Sequence, residues 1–216
     1  MTNNTMLITR PNHDPETCYL YRWSEDIINF AHSKNVDVFD LSDKKSNRSD
    51  FESYLNKRKP GLVIINGHGT ETEILGQDNK VLIKADDNED VLESKIVYSR
   101  TCASAKILGP KCIDSGTIAF IGYTGNFLFV FNSSKVSNPE TDEIGNIFAK
   151  STNIIPISLM KGNKVEDAVS KSVQIMKEQI DYYSANDTLE SPTILFCLRR
   201  NLVHQIVHGD KQAIFN

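Results

Sequence analysis

Three short runs of this chain are apolar at every position: Leu62-Val63-Ile64-Ile65, Ile96-Val97-Tyr98 and Ile118-Ala119-Phe120-Ile121. A strand with one wet face alternates apolar and polar side chains, so an unbroken apolar run reads as a strand buried on both faces. Such strands belong to parallel sheets, whose crossover connections cover both faces. Helices are readable between them. Leu20, Trp23, Ile27 and Ala31 recur at helical spacing, as do Val165, Ala168, Val169, Met176, Ile180 and Tyr183. Met6-Leu7-Ile8-Thr9 and the stretch from Val36 to Leu41 are further strands. A helix through Phe51, Tyr54 and Leu55, capped by Ser49 or Asp50, stops at Pro60-Gly61. Ile74-Leu75 and Val81-Leu82-Ile83 predict a small β-hairpin, and Ala103 to Lys111 a short helix. Phe127 to Glu140 is expected to be a long irregular loop, and Pro192 to Val207 a last helix or strand region. The expected fold is α/β: a mostly parallel sheet between two helical layers, as one domain over residues 1–216.

Composition narrows the function. The formal charge is −4 and no basic tract occurs, which argues against a nucleic-acid partner. The start Met1-Thr2-Asn3-Asn4-Thr5 lacks the basic and apolar segments of a signal peptide. No apolar run approaches the roughly 20 residues that span a bilayer. The expectation is a cytoplasmic protein with no membrane partner. Cys18, Cys102, Cys112 and Cys197 show neither a CxxC pair nor zinc spacing and read as reduced thiols, Cys112 and Cys197 in the core. His204 and His208 stand at i, i+4 without an accompanying carboxylate motif, and neither a metal site nor a cofactor is expected.

Two of the buried runs end in reactive side chains. The first continues into Asn66-Gly67-His68-Gly69, the second through Ser99-Arg100-Thr101 to Cys102-Ala103-Ser104. Functional groups of parallel sheets gather at the carboxyl ends of strands, and a histidine and a cysteine brought together there can act as base and thiol nucleophile. Gly67 and Gly69 allow a sharp turn and a close backbone approach. The N–H groups of Gly69 and Cys102 could hold an oxyanion, and one such donor contributes about 3–4 kcal/mol. A helix starting at Cys102 would add its dipole in favour of the thiolate. Taken singly, His68 reads more often as a plain loop histidine and Cys102 as a buried core thiol; their joint placement favours catalysis.

These residues resemble the caspase/gingipain clan of cysteine peptidases, with its CHAT and separase branches: an apolar strand ending in His-Gly, then an apolar strand ending in a cysteine followed by small residues. Weaker matches continue through Leu108-Gly109, Gly116 to Gly122, Phe148, Leu159, Gly162, Val165, Ala168 and Ile206-Val207-His208-Gly209-Asp210, so the likeness spans roughly residues 60–210. The caspase Gln-Ala-Cys-x-Gly signature is absent, since Thr101 precedes and Ala103-Ser104 follow the cysteine. The separation, 102 − 68 = 34 residues, is also shorter than the caspase value of about 50. The resemblance implies a caspase-like three-layer sandwich and a cysteine endopeptidase with His68 and Cys102 as its dyad. It implies protein or peptide substrates, a regulatory protein as a further partner, and regulated cleavage in cell death or antiphage defence.

The same resemblance places the pocket for the residue before the scissile bond around Arg10, Arg100, Tyr123 and Thr124. Two guanidinium groups would favour a carboxylate. In the competing reading Asp14, Glu16 or Asp142 faces a Lys or Arg; in a third, both arginines merely pair with surface carboxylates. The acidic stretch Asp86-Asp87-Asn88-Glu89-Asp90 reads as a solvated loop, although in the clan calcium sites and processing loops occur near such places. Two other classes compete. A non-catalytic caspase-like interaction module would be marked by loss of the histidine or cysteine, and both are present. A flavodoxin-like domain would want a glycine-rich loop where Arg10-Pro11-Asn12-His13 stands.

Overall fold

The computed structural model describes residues 4–215, so Met1, Thr2 and Asn3 of the amino-terminal stretch read above lie outside the described residues. In chain order the elements are β1 (Thr5–Arg10), α1 (Pro15–Ser33), β2 (Asp37–Ser42), α2 (Arg48–Arg58), β3 (Leu62–Asn66), β4 (His68–Gly69), β5 (Glu73–Leu75), β6 (Val81–Lys84), β7 (Ile96–Arg100), α3 (Leu108–Asp114), β8 (Ala119–Tyr123), α4 (Glu143–Met160), α5 (Val165–Ala185), α6 (Ser191–His204) and β9 (Gln205–Gly209). The main sheet has six strands in the order β2-β1-β3-β7-β8-β9, parallel throughout except for β9, which runs antiparallel to β8. A second sheet, β4-β5-β6, is antiparallel and contains the expected hairpin.

Why the central runs carry no polar residue is visible in the two cores. Met6, Ile8, Leu62, Ile64, Ile96, Tyr98, Ala119 and Ile121 face one way, against Ile27 and Ala31 of α1 and Ile155 and Leu159 of α4. Leu7, Val63, Ile65, Val97 and Phe120 face the other, against Phe51 and Leu55 of α2, Leu108 and Cys112 of α3, and Ile74, Leu82 and Ile83 of the small sheet. Successive side chains of one strand thus enter different cores, and both must be apolar. The result is the α/β/α sandwich expected from the sequence. Cys112 is deep enough that burial pushes its thiol up to about 12, as suits an inert core residue. Among the described residues no helix is long and apolar enough to cross a membrane.

Two local expectations change. Helix α2 is capped by Asn47, whose side chain accepts from the Asp50 N–H, rather than by Ser49 or Asp50. The predicted helix after Cys102 starts only at Leu108; residues 101–107 form turns.

Candidate active site

The register of the central strands sets the site. Asn66 at the end of β3 pairs with Arg100 at the end of β7, and His68 and Cys102 each follow that pair by two residues. They therefore leave the sheet at one level from adjacent parallel strands, which lie about 4.8 Å apart. The next strand on the other side of β3 is β1, and its exit loop carries His13 and Asp14.

Glycines make this crowding feasible. Gly67 has φ +148°, and a Cβ there would lie 2.2 Å from the Leu75 carbonyl oxygen. A Cβ on Gly69 would lie 2.7 Å from the Cys102 carbonyl oxygen and 3.0 Å from Thr101 Cβ. The chain leaving His68 is thus pressed directly against the turn that carries the cysteine. Thr70 N–H bonds to Glu73 O at 2.8 Å, which makes Gly69 and Ile74 the adjacent non-bonded pair of the antiparallel ladder. The Gly69 N–H accordingly points away from β5. Among the described residues no acceptor takes the Cys102 N–H.

His68 Nε2 lies 2.6 Å from Asp14 Oδ2. Asp14 caps α1: its Oδ1 accepts from the Thr17 amide and hydroxyl, each at 2.8 Å, leaving Oδ2 for the imidazole. Burial pushes the Asp14 carboxyl up, but the hydrogen bonds from Thr17 and His68 outweigh it and hold the group below its ordinary range. With Nε2–H donated to Asp14, the lone pair of His68 sits on Nδ1, an assignment made from the bond itself.

The cysteine turn is held from below and from the side. The hydroxyls of Ser99, Thr101 and Ser104 bond one another at 2.8–3.1 Å. Ala103, at φ +53°, donates its N–H to Gly125 O, and Ala105 to Tyr123 O. That left-handed residue is a strained conformation for a side chain other than glycine, held by these bonds. Cys102 is half-buried and its Sγ faces Phe127 O at 3.8 Å. Burial raises its thiol pKa, the contact to Phe127 offsetting only part, and no helix dipole acts on it because α3 begins six residues later.

Beside the thiol runs an irregular segment, Phe127 to Phe131. Phe127, Phe129 and Phe131 follow one another at centroid separations of 5.7 and 5.9 Å, and Phe129 and Phe131 pack on Tyr19 of α1. The Asn201 side chain bonds both the N–H and the C=O of Leu128. Among the described residues the N–H groups of Phe129 and Val130 meet no acceptor. All five side chains from Phe127 to Phe131 pack against one cluster, and the unpaired N–H groups leave a short stretch of open backbone beside the thiol.

The residues expected to line a carboxylate pocket are placed otherwise. Arg100 is wholly buried, donating to Asn66 Oδ1 and Asn153 Oδ1 at 2.7 Å and to Ser24 Oγ at 2.8 Å. It ties β3, β7, α1 and α4 together beneath the site. Arg10 is spent on Asp40 and stacks 4.1 Å above the Tyr21 ring. Tyr123 is buried, and Thr124 bonds His204 at 3.1 Å. Both guanidinium groups are engaged by partners inside the protein, and neither presents a free fork to a ligand. Asp14, one of three carboxylates in the competing reading, holds His68. A recoverable signal was Asp14-Pro15-Glu16-Thr17, a cap-and-proline helix start placed directly after a strand neighbouring β3.

The chain is similar to the Arg-specific cysteine proteinase gingipain R, whose crystal structure matches with a TM-score of 0.66 at 12% identity, over 99% of this chain and 48% of that one. A complex of the pro- and mature domains of RgpB from Porphyromonas gingivalis matches with a TM-score of 0.58 at 13% identity, over 100% and 49%. The chain spans about half the length of these structures. The fold is the caspase/gingipain-like one. No protein-family model and no curated protein matches the chain.

Proposed function

We propose that this chain is a cysteine endopeptidase in which Cys102 is the nucleophile, His68 its base and Asp14 the residue that orients His68. The observation that carries the proposal is the convergence at one sheet edge: His68 bonded to Asp14 at 2.6 Å, and the adjoining Gly69 packed against the backbone of Cys102.

In this reading Sγ attacks the scissile carbonyl carbon while His68 Nδ1 takes the thiol proton. The carbonyl electrons move to the oxygen, held by the N–H groups of Gly69 and Cys102. The intermediate collapses, the C–N bond breaks, and the amine leaves with the proton from Nδ1. Water then attacks the thioester, His68 takes its proton, and the C–S bond breaks to return the thiol. Because the resting group is a thiol, proton transfer accompanies attack. The substrate backbone lies along Phe127–Phe131 and pairs with the unbonded backbone groups there. With both arginines engaged inside the protein, that segment leaves an apolar wall, and an apolar residue is expected before the scissile bond. Following the resemblance, the setting is regulated cleavage of a few cytoplasmic proteins, in cell death or antiphage defence.

The raised thiol pKa of Cys102 favours one other reading, a non-catalytic caspase-like module that binds a protein partner. Peptide acyloxymethyl ketones bearing Asp, Arg or Leu at the cleaved position decide between them. The expected result is covalent labelling at Cys102, strongest with Leu and absent in Cys102→Ala. Labelling that survives in Cys102→Ala overturns the nucleophile; no labelling of the folded protein by any probe supports the module.

A further inference from the structure

His13 has no part in the mechanism above, yet it is withdrawn from water and aimed at the same carboxylate as His68. Its side chain is 11% exposed, and its Nε2 stands 3.4 Å from Asp14 Oδ2 and 3.3 Å from Asn79 Oδ1. These are long for hydrogen bonds. They match the spacing between donors around a small ion: ligands about 2.0–2.1 Å from a tetrahedral zinc lie about 3.3 Å from one another. The ligand atoms of His13, Asp14 and His68 all fall within 4.8 Å, the one grouping of three potential metal ligands among the described residues.

We propose that His13, Asp14 and His68 form a binding site for a first-row divalent transition ion, zinc foremost, and that the ion switches off the peptidase by taking over its histidine. The metal site stands on geometry alone; the switching rests on the peptidase reading above. Two imidazoles and one carboxylate suit zinc or its neighbours rather than calcium or magnesium, which prefer oxygen. Three protein ligands leave a fourth position for water. The supporting shell exists for Asp14, whose Oδ1 is fixed by Thr17 while Oδ2 is left for the ion. The His68–Asp14 pair must open by about 0.7 Å to reach the ligand spacing, as the ion replaces the proton between them.

The proton balance explains the inhibition. Without metal, neutral His68 carries its hydrogen on Nε2 and offers Nδ1 to the thiol. With Nε2 on the ion, the same hydrogen moves through solvent to Nδ1, and no lone pair remains to accept the proton of Cys102. His13 makes the same exchange. The acceptors Asn79 Oδ1 and Asp14 Oδ2 keep its hydrogen on Nε2 without metal, while its buried Nδ1 has no partner among the described residues and is left to take that hydrogen when the ion binds.

The test begins with Cys102→Ala, which keeps all three ligands. Titration with cobalt(II) should give one site per chain, with visible d–d absorption, no thiolate charge-transfer band, and displacement by zinc. Adding His13→Ala, or His13→Asn should alanine impair folding, should weaken binding by roughly 100-fold, since even outer-shell changes cost 10- to 100-fold. In the Cys102-containing chain, zinc should block acyloxymethyl-ketone labelling and a chelator restore it, while the His13→Ala chain should still be labelled at the same zinc concentration. Absence of a cobalt site, or one indifferent to His13, overturns the proposal. A His13-dependent cobalt site in a protein that is never labelled, with or without metal, upholds the metal site and sinks the peptidase reading instead.

Discussion

Replacing Arg100 by alanine separates an architectural arginine from a substrate-reading one. The guanidinium is buried at 0% exposure, and among the described residues no carboxylate reaches it. Its loss strips a donor from Asn66 Oδ1 and from Asn153 Oδ1. Neither amide can turn to repair this, because Asn66 Nδ2 is held by Thr9 O at 2.6 Å and Asn153 Nδ2 by Trp23 O at 2.8 Å. Two orphaned buried acceptors at about 1–3 kcal/mol each give about 2–6 kcal/mol. Removing a buried charge without an ion partner offsets part of that, leaving about 2–4 kcal/mol. With a urea m-value of about 2 kcal/mol per molar, the unfolding midpoint should fall by about 1–2 M. The single tryptophan, Trp23, is buried and reports the transition by fluorescence. An unchanged midpoint combined with lost labelling by an Asp-bearing probe would refute the reasoning and return Arg100 to the substrate pocket.

Three further outcomes are expected. Asp14→Asn keeps a helix cap of equal quality but weakens the hold on His68, so kcat/KM should fall on the order of 100-fold with a modest loss of stability at neutral pH. Because the Asp14 carboxyl is held below its ordinary value, its charged form stabilises the fold above about pH 4. That contribution is lost as pH falls through the folded value, so the midpoints of wild type and Asp14→Asn should converge in acid. Gly69→Ala sets a Cβ 2.7 Å from the Cys102 carbonyl oxygen and must displace the cysteine turn; labelling should drop on the order of 100-fold for a stability cost of about 1–3 kcal/mol. Finally, burial raises the Cys102 thiol, so alkylation by iodoacetamide without substrate should keep rising above about pH 8.5; a rate already maximal at pH 7 would mean a preformed ion pair.

The sheet was legible because its signal is local. Leu62 to Ile65 and Ile96 to Tyr98 are apolar at each position, and the glycines around His68 mark where β3 must end. Reactive residues just past such runs can be found by eye. What escaped depends on where distant elements meet. The alternation of β7 tells which face Arg100 takes but not that Ser24, Asn66 and Asn153 close over it. The delayed start of α3 follows from three hydroxyls and a left-handed Ala103, and neither has a propensity signature. Asp14 looked like a free acid in a loop because its partner lies 54 residues away. His204 and His208, four apart, lie on different elements: His208 Nε2 meets Ala105 O, and His204 faces Thr124.

The passage from β3 to β7 is made by the little β4-β5-β6 sheet and contains no α-helix. Its tip, Asp78 to Lys80, is exposed. Exposed tips are where chains tolerate insertion and cutting. A break there would divide the protein so that one fragment keeps Asp14 and His68 and the other keeps Cys102, with β3 and β7 still able to pair across the cut. Neither fragment alone holds a complete set of reactive groups. Two separately made pieces should therefore regain peptide labelling only when mixed, which makes the reassembly of this sheet directly readable as chemistry.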